Sequence, residues 1–461
     1  MNKYHLFLFV IIWALLLLLN PNHIYAGTSE QSTAPTLSVE QRLAALEQKL
    51  ETLQEQLTAE QKKTVQTQAA LEQSQAELLA LKNNQLTQTT NSSATSEQIK
   101  QMIDSQLDSR KAEFSSPEWV KNMQIKGDFR YRYELVDDDT KTSDRQRSRI
   151  RARLGIYGKA SDEFDYGFRL ASGNDEAPTT TNEDLGNSFS KKQVWLDLAY
   201  FDYHPASIPG LNILGGKIKN PYYTVGNSDL MFDTDVNPEG IAAKYSHKLN
   251  DSTELFAAFG GYYLQERNTE AETSMFGLQA GLKHDFDKEK GTRLVIGGGY
   301  YDYGNIEGTT LNYSTTNFFG NTSSCGKFAS DFNIIQAFAE YGLKFRKIPV
   351  KIFADYAYNI ACDTDHDTAF LYGFAIGDNK NAGDWQLSYN YRNVEADSIV
   401  GVLAERTFGG GGTDVKGHKL SLGYQISKNV SLSASYMMAQ RTRNDSTNDY
   451  DTFFTDLVLK F

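Results

Sequence analysis

Hydrophobic and polar residues alternate through most of this chain. From Ile125 to Leu135, Ile125, Gly127, Phe129, Tyr131, Tyr133 and Leu135 share one parity, while Lys126, Asp128, Arg130, Arg132 and Glu134 share the other. A strand points successive side chains to opposite faces, so the segment predicts a β-strand with one apolar, aromatic face and one charged face. The pattern recurs at Arg147–Tyr157, Trp385–Tyr391, Leu420–Ile426 and Val430–Met438. Sixteen such stretches are predicted, near 125–136, 146–159, 162–173, 191–203, 210–218, 236–247, 253–264, 273–286, 291–304, 330–345, 348–359, 368–379, 383–395, 415–426, 429–440 and 450–461. An even number suits a bacterial membrane barrel whose ends lie on one side. Tilted strands of about 9–14 residues match the hydrocarbon thickness.

The connections sort by length. If the N-terminus is periplasmic, the even-numbered ones are inner turns, and all are short: Ala160-Ser161, His204–Pro209, Lys248–Ser252, Asp287–Lys290, Arg346-Lys347, Lys380–Ala382 and Ser427-Lys428. The long ones, 174–190, 219–235, 305–329 and 396–414, are all odd-numbered. Short periplasmic turns with long outer loops are the asymmetry expected of an outer-membrane barrel. The chain also ends on an amphipathic strand, with Phe453, Leu457, Leu459 and Phe461 on one face and Asp456 and Lys460 on the other. A terminal aromatic closing such a strand resembles the signal read by barrel-assembly machinery.

The first 124 residues follow other rules. Lys3 and the apolar run Leu6–Leu19 predict a signal peptide over 1–26, with Ala26 before the cleavage point. The run is too short to span a bilayer comfortably. Over 37–82, Val39, Leu43, Leu46, Leu50, Leu53 and Leu57 step by alternating fours and threes, the seam of a coiled coil. The seam turns polar at Glu60, Thr64 and Thr67 and resumes at Leu71, Leu78 and Leu81. Such a helix must bury its stripe, against partner helices or against its own barrel. Residues 83–96 form a polar linker, and 97–124 a short amphipathic helix and the barrel entry. The expected fold class is therefore all-β: a 16-stranded antiparallel transmembrane barrel over 125–461, preceded by a periplasmic α-helical coiled coil.

Composition narrows the reading. A net charge of −12 argues against a nucleic-acid partner. Two Cys and seven His leave little for a metal cluster, and no cofactor is expected. Cys325 and Cys362 fall in the fifth and sixth outer loops; cysteines beyond the inner membrane usually pair, so a disulfide between them is expected, with two free thiols as the other outcome. His204, His247 and His366 have no obvious Ser partner in a nucleophile setting, and no enzyme is expected.

Several segments resemble the putative porin family of Gram-negative outer membranes, a barrel with an N-terminal coiled coil. The carrying residues are Gly127–Arg132, Arg145–Arg151, Leu198–Tyr203, Gly215–Tyr222, Ser228–Leu230 and Asp233–Gly240. The resemblance covers about 115–461 and implies a 16-stranded diffusion channel in the outer membrane, assembled as a homotrimer.

A pore's chemistry would lie on the inward faces. Arg130, Arg132, Arg147, Arg149, Arg151, Arg153 and Arg169 share the non-apolar faces of the first three strands. On the lipid face an Arg at mid-membrane costs roughly 2–4 kcal/mol, so these should face the lumen. There they form a basic ladder that would concentrate anions, unless Asp128, Glu134, Asp165 and other lumenal acids neutralise it. The third outer connection holds Asp229, Asp233 and Asp235, with Glu239 just beyond. By analogy with general porins this loop would fold inward and set its acids across a constriction from the ladder. The spacing Asp233, Asp235, Asn237, Glu239 also offers oxygen ligands to a hard cation, but lacks the Gly and distant Glu of a helix–loop–helix calcium site. The expected function is passive diffusion of small hydrophilic solutes, anion-preferring through the ladder. The alternatives are a channel specific for phosphate or carboxylate compounds, and an envelope tether contacting peptidoglycan through the coiled coil.

Overall fold

The computed structural model describes residues 122–174, 178–313, 317–362, 364–443 and 446–461. The signal peptide, coiled coil, linker and short helix expected upstream lie outside the described residues.

Sixteen long strands run antiparallel: β1 Gln124–Asp138, β2 Arg145–Ser161, β3 Phe164–Ser172, β4 Val194–Tyr203, β5 Leu211–Lys217, β6 Glu239–Asn250, β7 Thr253–Gln265, β8 Thr273–Asp287, β9 Thr292–Tyr303, β10 Phe332–Phe345, β11 Ile348–Asn359, β12 Thr368–Gly377, β13 Trp385–Val394, β14 Val415–Ser427, β15 Val430–Arg443 and β16 Ser446–Lys460. Each pairs with its neighbours in sequence, and β16 returns to β1 with Asp128 opposite Lys460 and Leu135 opposite Phe453. The sheet is thus closed and has no free edge, the condition for a β-structure in lipid. A two-residue strand, Glu183–Asp184, prolongs the sheet beside Arg149 and Ile150 of β2. A separate hairpin pairs Ser323-Ser324 with Lys327-Phe328.

The alternation in the sequence is the alternation of the wall. Phe129, Tyr131 and Tyr133 are exposed on the outer surface, as are Phe168, Phe259, Phe276, Ile352, Tyr372 and Leu422. Their neighbours Arg132 and Glu134 are buried inside. The terminal Leu457, Leu459 and Phe461 lie on the outer surface too. One end of the barrel carries only short turns, and the other carries the long connections.

The long connections do not stand away from the barrel; they fold into it. Ile218, Val225, Leu230, Ile306, Ile399, Val400 and Phe408 are almost fully buried, packed with the inward-facing Tyr301, Ile334, Ala357 and Leu371 in one core. Backbone carried into such a core needs partners. They are present: Asp233 N donates to Leu403 O (2.8 Å), Thr413 N to Phe319 O (2.7 Å), and Asn321 Nδ2 to the carbonyls of Ala396 (2.6 Å) and Ile399 (2.8 Å). The lumen therefore has an apolar, filled side and a charged side on β1–β4.

Candidate pore-lining site

The seven arginines face the lumen, and register sets their neighbours. Across β1 and β2, Asp128 stands opposite Arg153, Arg130 opposite Arg151, Arg132 opposite Arg149, and Glu134 opposite Arg147. Two of these rows oppose like charges, which is destabilising unless carboxylates intervene. Carboxylates do intervene. Arg132 makes a bidentate pair with Asp456 of β16 (both contacts 2.7 Å) and lies 3.8 Å over the Phe454 ring. Arg147 Nε donates to Glu134 (2.6 Å), and Arg149 Nε reaches Asp184 at 2.6 Å. Arg151 and Arg153 share Asp128, donating at 2.8 and 2.7 Å, and Arg169 pairs with Asp197. Arg130 differs: it donates to the Asn182 amide and stands 3.9 Å from Asp456. Asp165 sits lower, 3.5 Å from His204. The ladder is a network of ion pairs as well as a row of cations.

The third outer connection, 218–238, crosses the lumen. Its tip docks on the opposite wall, where Gly226 N donates to Glu340 Oε2 (2.9 Å) and Tyr223 N to Gln279 Oε1 (2.6 Å). Gly226 has φ +60°, and a Cβ there would meet the Phe353 ring at 2.4 Å, so only glycine fits. The four candidate acids part company. Asp235 meets the ladder, 3.4 Å from Arg153, and accepts from Thr181 Oγ1 (3.0 Å). Glu239 pairs with Lys217 (2.6 Å). Asp233 faces the 395–414 connection and accepts from Arg406 N (3.0 Å). Burial, with Asp229 and Asp235 nearby, holds its carboxyl well above the usual range. Burial and the Glu405 carboxylate push Asp229 up to about 7. Glu405 itself, although burial opposes ionisation, is held at about 2 by Arg392 and Lys419, the latter at 2.7 Å.

Cys325 and Cys362 are free, a correction to the expected disulfide. The short 323–328 hairpin turns Cys325 out to solvent at φ 52°, while Cys362 lies against Thr364 Oγ1 (3.1 Å) in the next connection.

Beside the charged wall lie three neighbouring cavities. The first, about 630 Å³ at the short-turn end, is lined by Lys126, Arg153, Lys159, Arg169, Lys219 and Lys460 against Asp128, Asp165 and Asp202. The second, about 380 Å³, shares Arg153, Arg169 and Lys219 with the first and faces Asp233 and Asp235. The third, about 720 Å³, shares Asp235 and Asn237 with the second and turns acidic, with Asp197 and Glu239 against Lys217. Among the described residues, Lys126, Lys159, Lys219 and Lys460 have no carboxylate partner. Lys219 is also partly desolvated; burial, then Arg169 and Arg153, push its ammonium below the usual lysine range. Parity places Lys126 and Lys460 on the inner face. Lys219 lies in a connection, where no alternation marks it, and the partner acids Asp184 and Asp197 lie at an added strand and beside a bulge.

A closed sixteen-stranded barrel with inward loops and a charged lumen is channel architecture. The sequence matches the putative porin family over residues 136–325 and 310–461, well over half its length. The chain belongs to the putative porin family. Membership of this family makes it an outer-membrane porin channel. Porin O of Pseudomonas aeruginosa is 35% identical over 89 residues, a match spanning 18% of this chain and 20% of that protein. Among solved structures, OprB of Pseudomonas putida aligns with a TM-score of 0.50 at 8% identity, over 74% of this chain and 95% of that one. A mutant porin from Rh. blastica aligns at 0.44 and 12% identity, over 74% of this chain and all of the other. The OprB likeness concerns the barrel fold alone.

Proposed function

We propose that this porin passes small hydrophilic solutes by passive diffusion and prefers anions. The carrying observation is the set of unpaired lysines, Lys126, Lys159, Lys219 and Lys460, in the cavity beside the ladder. Paired arginines contribute little net field. Unpaired ammoniums against a low-dielectric wall raise the local anion concentration and slow cations. The bias extends into the smaller neighbouring cavity, since Lys219 also lines the 380 Å³ space together with Arg151, Arg153 and Arg169. The arginines then act as fixed structure that keeps the wall in place. We read the assembly as a homotrimer with its heptad segment in the periplasm.

The test is a planar-bilayer recording under a KCl gradient. The wild-type channel should reverse on the chloride side, and Lys126→Glu/Lys219→Glu should move the reversal potential toward potassium. A potassium-favouring wild type would overturn the anion preference. Current that saturates in phosphate but not in chloride would point instead to the substrate-specific channel.

A further inference from the structure

The 630 Å³ cavity holds a second feature, which the ion pairs do not use. Tyr157 and Tyr200 line it, both half-buried. Register sets them in one row across three strands: Tyr157 of β2 opposite Gly167 of β3, and Gly167 opposite Tyr200 of β4. Both rings rest on glycine. A Cβ added at Gly155 would meet Cε2, Oη and Cζ of Tyr157 at 2.6–2.7 Å, and one at Gly167 would meet Cε1, Cζ and Oη of Tyr200 at 2.6–2.8 Å. Glycine at these two sites lets the rings lie down on the wall instead of standing across the lumen. No hydrogen bond engages either hydroxyl among the described residues. The next row along the barrel holds Arg169, opposite Gly155, and Arg153 follows on β2. Successive inward rows are about 7 Å apart along a strand. Lys126 Nζ lies 5.9 Å from the Tyr157 ring centroid.

We propose that this cavity is a binding site for small planar aromatic anions, such as an aryl carboxylate. The ring of such a solute would stack on Tyr157 or Tyr200, and its acidic group would reach Arg169, Lys126 or Lys219. Offset-stacked aromatic pairs gain more than their buried apolar area alone supplies, and cations next to a ring face favour an anionic substituent at its edge. Neither element alone selects this class: lysines would take any anion, and tyrosines any ring. The inference rests on the anion-preferring reading above and names the solute class that reading leaves open.

The experiment uses the full chain in planar bilayers, with chloride current as the readout and acetate, benzoate and cyclohexanecarboxylate as added anions. Benzoate should half-inhibit the current at roughly a tenfold lower concentration than acetate, a difference of about 1.4 kcal/mol. Tyr157→Leu/Tyr200→Leu should abolish that advantage without changing the chloride reversal potential, and Tyr157→Phe/Tyr200→Phe should keep it. Heat-modifiable migration on gels checks that each variant folds. Equal inhibition by benzoate and acetate would overturn the proposal. So would an advantage that survives in the leucine variant, or cyclohexanecarboxylate matching benzoate. A potassium-favouring reversal potential is a separate result and strikes the anion preference itself.

Discussion

The junction between the 218–238 and 395–414 connections should make conductance depend on pH. Asp229 is half-buried there, and its Oδ1 has no hydrogen-bond partner among the described residues. It faces Glu405, which is paired with Arg392 and Lys419, and it lies near Asp233 and Asp235. Its carboxyl is pushed from 3.8 to about 7. Because the docked value lies above the free one, docking gains most when Asp229 is protonated. That gain is complete below about pH 4, falls as the pH rises, and is gone above about pH 7. The full difference corresponds to roughly 4 kcal/mol. Solvent at the exposed part of the side chain reduces it, so about 2 kcal/mol is the working figure, some thirtyfold in the docking equilibrium. Glu405, held at about 2, stays ionised throughout the range. Single-channel conductance should therefore rise between about pH 4 and 7 as the connection loosens from the lumen, then level off. Asp229→Asn should at least halve the rise, leaving Asp233 as the remaining titrating group. A wild-type channel flat across that range, or an asparagine variant with the wild-type profile, would refute the reasoning.

Two further outcomes are expected. Asp456→Asn strips the bidentate partner from Arg132 and leaves a buried cation at the seam between the first and last strands; it should cost about 3–5 kcal/mol, seen as a lower temperature for the heat-dependent gel shift of the folded barrel. Cys325 is exposed and Cys362 partly covered, so a maleimide should label Cys325 first, and a reducing agent should leave migration unchanged.

The wall was legible in the sequence because its chemistry repeats every second residue. Alternation located all sixteen strands, with most ends placed within three residues of those observed; the start of β16, at Ser446 instead of 450, is the largest shift. There Ser446–Asp449 carry no apolar face but still pair with Gln440–Arg443. The inward direction of the arginines followed from the cost of charge in lipid. Their pairing did not, because it depends on register and on distant segments: Asp456 lies 324 residues from Arg132, and Asp184 joins through an added two-residue strand. The inward fold of the 218–238 connection is expected from analogy with general porins alone, and that of 395–414 carries no signal in the alternation. Val225, Leu230, Ile399 and Val400 lie in stretches without the two-residue period, and only the assembled core shows where they go.

The seam between β1 and β16 also constrains how the molecule can be made. Gly127 and Phe461 exchange two backbone hydrogen bonds, N to O at 3.0 and 3.1 Å, across almost the whole length of the barrel sequence. Contacts so distant along the chain carry the largest loop-closure cost and form slowly. They also cannot begin to form until β16 has been made and has reached β1. Until then, β1 and the growing end present two unpaired edges, the most aggregation-prone surfaces a sheet can offer. The segment that closes the wall thus arrives last, and it is the one ending in Leu457, Leu459 and Phe461. A chain lacking it remains an open sheet, so closure of the whole wall depends on this one strand.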